Sequence, residues 1–307
     1  MKLSRSASLF AALAFIATAL FGSAASAADI VIRHKQGEAT FAAKPEKVLV
    51  FDLASLDTLT ALGVEVAGVP GGGKPDYLKS YNDEKYLKIG TLFEPDYEAV
   101  NAAEPDLIIV AGRSAAKYPE LAKIAPTIDL TVDAKNYIEE AKNNVATLAG
   151  LFDKKAEGDA LLARLDSAVA DLKTLAAGKG KGLLILTTGG KMSAYGPGSR
   201  FGMLHSAYGV LPAAETQNVG NHGQAISFEY ILETNPDWLF VIDRDTAIGR
   251  EGTAAAQFLD NEVVRQTKAW QGGNVVYLDA AAWYLVGGGI SSMQRTVDQL
   301  AAALGKS

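Results

Sequence analysis

Two arginines stand at matching places in this chain. Residues 97–113 read Tyr-Glu-Ala-Val-Asn-Ala-Ala-Glu-Pro-Asp-Leu-Ile-Ile-Val-Ala-Gly-Arg, and residues 228–244 read Phe-Glu-Tyr-Ile-Leu-Glu-Thr-Asn-Pro-Asp-Trp-Leu-Phe-Val-Ile-Asp-Arg. They align without a gap: Glu98, Pro105, Asp106, Val110 and Arg113 meet Glu229, Pro236, Asp237, Val241 and Arg244. Each copy closes an apolar run with a guanidinium, whose planar fork of donors suits anionic oxygens and whose face stacks on aromatic rings. A strand-end arginine also often serves only in a surface ion pair, worth under about 1 kcal/mol, and Asp243 and Asp245 flank Arg244 as its expected orienting partners. The duplication argues for a shared task, with both tips directed at one anionic ligand.

Other chemistry is poorly represented. Gly71-Gly-Gly-Lys74 lacks the spacing of a phosphate loop, and Pro75 stops a helix from opening there. No G-x-S-x-G elbow is present for a hydrolase. His34, His205 and His222 are scattered, and there is no cysteine, so a zinc site is not expected. His34 is expected to be exposed and His205 to pack. An enzyme would need an acid, base or nucleophile beside the arginines, and only Asp243 and Asp245 are obvious; the expectation is a binding protein.

The elements that must position the arginines are short apolar runs alternating with helical patterns. Val48–Asp52, Val66–Val69, Leu107–Ala111 and Thr127–Leu130 read as buried strands, as do Leu183–Thr187, Leu239–Asp243 and Val275–Leu278. Strands spaced by helix-length segments predict parallel sheets with crossover helices. Between the two sets, from Ile138 to Ala176, apolar residues recur at helical spacing, with Gly150 and Asp153 marking a kink or a fresh N-cap. The expected organisation is an α/β lobe over 28–137, a helical linker over 138–177 and a second α/β lobe over 178–307. Ligands of open α/β sheets bind beyond the carboxyl ends of the strands, so facing lobes would direct Arg113 and Arg244 into one cleft.

Ahead of the first lobe, Lys2 and Arg5 precede an apolar core from Leu9 to Phe21, and Ala25-Ser26-Ala27 supplies small residues for cleavage. That pattern predicts a secretory signal peptide over 1–27, and no cysteine follows to carry a lipid anchor. Without Lys2 and Arg5, the 29 basic side chains become 27 against 35 acidic ones, a net charge of −8. No nucleic-acid surface is expected from this balance. An anionic ligand must be held by a local basic cluster against that background.

Export signal, two lobes, bridge and the Glu…Pro-Asp…Arg repeat together resemble the periplasmic substrate-binding proteins of iron-siderophore ABC importers, in the ferric-catecholate branch with petrobactin- and enterobactin-type receptors. The resemblance implies two Rossmann-like lobes joined by a long helical bridge, the class III periplasmic binding protein fold. It implies a basic triad on the cleft floor, which falls here on Arg113, on Arg200 within Tyr195-Gly-Pro-Gly-Ser-Arg200, and on Arg244. A ferric tris-catecholate is strongly anionic, and each opposite-charge contact near 4 Å is worth on the order of 4 kcal/mol before desolvation. Arg200 on its glycine-rich loop could instead simply be solvated.

Some members of the family complete the iron's coordination with a histidine and a tyrosine. His222, in Gly220-Asn-His-Gly-Gln, and Tyr284, in Ala282-Trp-Tyr-Leu, match those places. Trp283 is the alternative aromatic, stacking on ligand or lying in lobe core. Glu98 and Glu229 open the repeat helices, where an acid favours the helix dipole; in similar proteins such paired glutamates dock onto a two-fold permease. The resemblance thus implies a periplasmic monomer with no intrinsic cofactor, a ferric siderophore as ligand and an ABC permease dimer as partner. Haem or a cobamide could fill the same fold, but neither calls for three arginines.

Overall fold

A computed structural model describes residues 29–216 and 221–306; the segment read as a signal peptide lies outside them. The described chain opens with an antiparallel hairpin, β1 (Ile30–His34) and β2 (Gly37–Phe41). A five-stranded parallel sheet follows, built from β3 (Val48–Val50), β4 (Gly68–Val69), β5 (Leu87–Lys88), β6 (Leu107–Val110) and β7 (Thr127–Asp129) in the order β5-β4-β3-β6-β7. The second sheet holds β8 (Lys181–Thr188), β9 (Lys191–Tyr195), β10 (Leu211–Pro212), β11 (Gln224–Ile226), β12 (Trp238–Asp243) and β13 (Val275–Tyr277). Its order is β11-β9-β8-β12-β13, with β10 beside the start of β8. Strands β6 and β12, which lead into Arg113 and Arg244, are internal in both sheets, and their apolar runs are buried.

The two repeat copies fold alike. Helices Tyr97–Ala103 and Phe228–Thr234 start on side-chain caps from Asp96 and Ser227. They stop on left-handed residues, Glu104 at φ 45° and Asn235 at φ 42°. Asp106 and Asp237 then accept the backbone N–H of Lys47 and Lys181, each at 2.8 Å. Those bonds tie the start of each arginine strand to the neighbouring strand, which is why Pro-Asp recurs in front of both.

The second sheet is mixed rather than wholly parallel, because β9 runs antiparallel to β8 and β11 antiparallel to β9. Gly189 and Gly190 carry φ of +53° and +73°, the backbone a tight two-residue hairpin needs and one that glycine adopts without strain.

The helical bridge is a hairpin. Helix Tyr137–Leu151 gives way at 152–154 to helix Lys155–Ala176. Asp153 takes the left-handed conformation, φ 58°, and does not act as the new N-cap; Lys154 holds that position without a side-chain bond. Lys142 and Asp166 pair across the two helices at 2.8 Å.

The bridge helix Tyr137–Leu151 belongs to both cores. Leu148, Ala149 and Leu151 pack beneath the first sheet, while Ala141 and Val145 pack beneath the second. Leu285 and Val286, late in the chain, also cross into the first core. The C-terminal helix Ile290–Leu304 has no side-chain cap of its own. Asp57, buried in helix Leu53–Ala61, supplies one: its Oδ2 accepts from the N–H groups of Ser291 and Ser292 at 2.8 and 3.2 Å.

Candidate functional site

Arg113 leaves β6 on a tight turn. The Ser114 hydroxyl, fully buried, accepts from the Ala111 N–H at 3.1 Å, and the Gly112 N–H donates to Thr131 Oγ1 at 2.8 Å. The guanidinium then reaches across to the second half of the chain, where its Nη2 donates to the backbone oxygen of Tyr284 at 2.5 Å. Arg200, on the loop after β9, donates to the same oxygen at 3.1 Å. Arg244, at the end of β12, donates through Nε to the Tyr284 hydroxyl at 2.8 Å and through Nη1 to Thr188 Oγ1 at 3.0 Å. Three guanidiniums from both lobes therefore converge on one tyrosine.

The ring of Tyr284 is central to that cluster. The guanidinium carbons of Arg113, Arg200 and Arg244 lie 5.3, 4.5 and 5.4 Å from its centroid, within cation–π range. Phe201 adds a second face for Arg200 at 4.7 Å. All three arginines are half-buried, and none makes an ion pair with a carboxylate among the described residues. Burial and then the charge of Arg200 hold Arg113 below its ordinary value, opposed by Tyr284 and Asp52. Burial alone would raise the Tyr284 phenol, but the hydrogen bond from Arg244 and the charge of Arg200 outweigh it and bring the phenol below its usual range. The cluster is a concentrated, uncompensated positive site that also favours a phenolate.

Trp283 points elsewhere. It is 2 % exposed, in the second core, edge-on to Tyr208 at 6.3 Å between ring centroids. Neighbours on a helix diverge by about 100°, so on helix Ala280–Tyr284 the tyrosine faces the arginines while the tryptophan faces inward. Of the two roles open to Trp283, the structure supports core packing. His222 is exposed on a turn just before β11. The next residue, Gly223, abuts the Tyr195 ring so closely that a Cβ would lie 2.8 Å from Cζ. Tyr195 in turn feels the charges of Arg200 and Arg244, which places the His222 turn beside the cluster's near neighbours. Glu98 and Glu229 are exposed on the first turns of their helices.

Several residues at the site carry no sequence signal of their own. Tyr195 and Phe201, packed edge-on at 4.9 Å, flank the triad's glycine-rich loop. Asp243 and Asp245 do not touch Arg244: Asp243 caps Thr246 and accepts from Ala255, and Asp245 binds Thr188 and Gly189. The direct orientation of Arg244 by its flanking acids, expected from the sequence, is replaced by contact through Thr188. His34 is half-buried against Tyr118, and His205 packs with its Nδ1 on the Val210 oxygen at 2.9 Å.

A family model described as "Periplasmic binding protein" matches residues 48–282. The chain belongs to this family. A relative within it, the petrobactin-binding protein YclQ of Bacillus subtilis, is 45 % identical over 265 residues, which cover 85 % of this chain and 83 % of that one. Its crystal structure superposes with a TM-score of 0.87 at 42 % identity, over 91 % of this chain and 99 % of that one. The periplasmic catecholate-siderophore binding protein VctP of Vibrio cholerae superposes with a TM-score of 0.86 at 33 % identity, over 89 % and 99 %. These relatives are binding proteins, not enzymes, and the fold shared with them is the class III arrangement of two sheets and long helices. No helix of the described residues is long and apolar enough to cross a membrane.

Proposed function

We propose that this chain binds a ferric catecholate-type siderophore in the cleft between its lobes and delivers it to the permease dimer of an ABC importer. The observation that carries the reading is the trio of half-buried guanidiniums, Arg113, Arg200 and Arg244, gathered from both lobes around Tyr284 without a carboxylate partner among the described residues. Such crowding of like charge is unfavourable until an anion enters, and a ferric catecholate brings negative charge on planar oxygens with aromatic faces. Two relatives carry petrobactin and catecholate siderophores in their names, which favours this ligand over haem or a cobamide.

With a siderophore that offers only four donors, His222 and Tyr284 would complete the iron's coordination. Imidazole nitrogen and phenolate oxygen both suit ferric iron, and the arginine cluster already draws Tyr284 toward phenolate. Glu98 and Glu229, one on each lobe in equivalent helices, would grip the two halves of the permease. The lobes 28–137 and 178–307, joined by 138–177, would act as one monomer, exported by a signal peptide that is then cleaved.

Fluorescence quenching of the mature protein, titrated with a ferric tetradentate bis-catecholate and a ferric hexadentate tris-catecholate, tests the reading. Tight tetradentate binding that weakens in His222→Ala supports iron completed by the protein. Tight hexadentate binding indifferent to His222 leaves the arginines as the whole recognition device. Failure of both complexes to bind sinks the catecholate assignment.

A further inference from the structure

We propose that Thr188, backed by Asp245, is the positioning residue that sets the donor face of Arg244 toward the cleft. The placement follows from strand register. Thr187 pairs with Asp243 across β8 and β12, so Thr188 and Arg244 leave neighbouring parallel strands side by side at the carboxyl edge of the sheet. Arg244 Nη1 donates to Thr188 Oγ1 at 3.0 Å, and Thr188 Oγ1 donates to Asp245 Oδ1, also at 3.0 Å. The second carboxylate oxygen accepts from the Gly189 N–H at 2.6 Å. Asp245 is 8 % exposed and is held from two sides by the β8–β9 turn.

The chemistry of a hydroxyl explains the arrangement. Thr188 has one proton, and giving it to Asp245 leaves only lone pairs to face Arg244. The bond from Arg244 therefore has a fixed polarity and a fixed direction. A carboxylate in the same place would orient the guanidinium as well, but it would neutralise the charge that an anionic ligand must meet. An uncharged hydroxyl between the two separates orientation from neutralisation. Among the described residues Asp245 pairs with Arg250, at 3.9 Å on the solvent side, and not with Arg244. With Nη1 on Thr188 and Nε on the Tyr284 hydroxyl, Nη2 bonds to none of the described residues and is left for the ligand.

The first lobe contains a related pairing. Thr131 Oγ1 donates to Asp129 Oδ1, where Asp129 is 2 % exposed, and accepts from the Gly112 N–H. There the threonine holds the backbone just before Arg113 and leaves the guanidinium untouched. Only in the second lobe does it grip the guanidinium itself, so Thr188 is the one expected to tune ligand contact directly.

The inference rests on the reading that Arg244 receives the ligand, and the test separates the two. Mature wild type, Thr188→Val, Thr188→Ser and Arg244→Gln are titrated with a ferric tetradentate bis-catecholate. The Tyr284 phenol is followed by ultraviolet pH titration in wild type and in Thr188→Val, each as the difference from the same chain carrying Tyr284→Phe. Thr188→Val is nearly isosteric; Thr188→Ala replaces it if the valine does not fold. The expected result is affinity lost by about tenfold in Thr188→Val, an upward shift of the Tyr284 titration, and recovery of both in Thr188→Ser. If Arg244→Gln loses affinity while Thr188→Val binds and titrates as wild type, the inference is overturned and the binding reading stands. If Arg244→Gln binds as wild type, the role given to Arg244 in binding falls. In that case an unmoved Tyr284 titration in Thr188→Val overturns the inference, and a raised one upholds Thr188 as the group that orients Arg244.

Discussion

Three guanidiniums around one phenol oppose each other in the free protein, and the binding reading turns that opposition into affinity. Hydrogen bonds to charged groups contribute about 1.5–3 kcal/mol, so glutamine in place of Arg113, Arg200 or Arg244 should weaken a ferric bis-catecholate roughly 10- to 100-fold. Relief of like-charge crowding should leave each variant melting no lower than wild type, as expected where function strains a site. Titration and a thermal melt on the same three variants check both halves; a variant that melts lower and binds normally would place that arginine in the fold. Arg113 and Arg244 were legible because the repeat aligned them, whereas Arg200, outside the repeat, was reached only through the family resemblance. Trp283 and Tyr284 were not separable in this way, since adjacent residues give no clue to which one faces the arginines until the helix is packed.

At the scale of elements, the repeat is a cap, a seven-residue helix, a left-handed stop and a buried strand, built twice. Its two exposed acids make a prediction that ligand binding does not touch. Glu98→Lys or Glu229→Lys should keep the ferric-ligand affinity of wild type within about twofold, yet lose most iron uptake in cells that carry the cognate permease; exposed single charges rarely alter a fold by more than about 0.5 kcal/mol. Normal uptake by both variants would remove the docking role. Strands β9 and β11 escaped the sequence reading because neither is an unbroken apolar run: they read Lys-Met-Ser-Ala-Tyr and Gln-Ala-Ile. The Gly189-Gly190 pair was the signal that could have found the β8–β9 hairpin.

Across the whole molecule, the halves share cores and a helix cap. Ala141 and Val145 lie in one core and Leu148 and Leu151 of the same helix in the other, so a wide hinge would have to unpack buried side chains. Ligand should therefore change the radius of gyration by less than about 1 Å, which X-ray scattering of free and bound protein measures; a larger contraction refutes a rigid seam. The cap from Asp57 adds a pH signature. Desolvation, outweighing the bonds from Ser292 and Ser291, pushes its carboxyl from 3.8 to about 6. A folded value above the unfolded one means its contribution is full below about pH 4 and is lost as pH rises through about 6, on the order of 3 kcal/mol in all. Asp57→Asn keeps an oxygen for the two N–H groups and does not ionise. Its melting temperature should rise relative to wild type between pH 4 and pH 7, and a constant offset would exclude Asp57 as the titrating group.

What the sequence by itself determined was periodic or duplicated: the buried strands, the two α/β halves, the arginines at matching strand ends and the acids at matching helix starts. Those features follow from local pattern, because apolar spacing and caps act over a few residues. The tertiary structure alone decided that the bridge doubles back, that Asp57 caps a helix more than two hundred residues away, and that Thr188 rather than a flanking acid meets Arg244. Contacts of that kind depend on strand register and on which face of a helix is buried, and neither is set until the two sheets and their helices pack against one another.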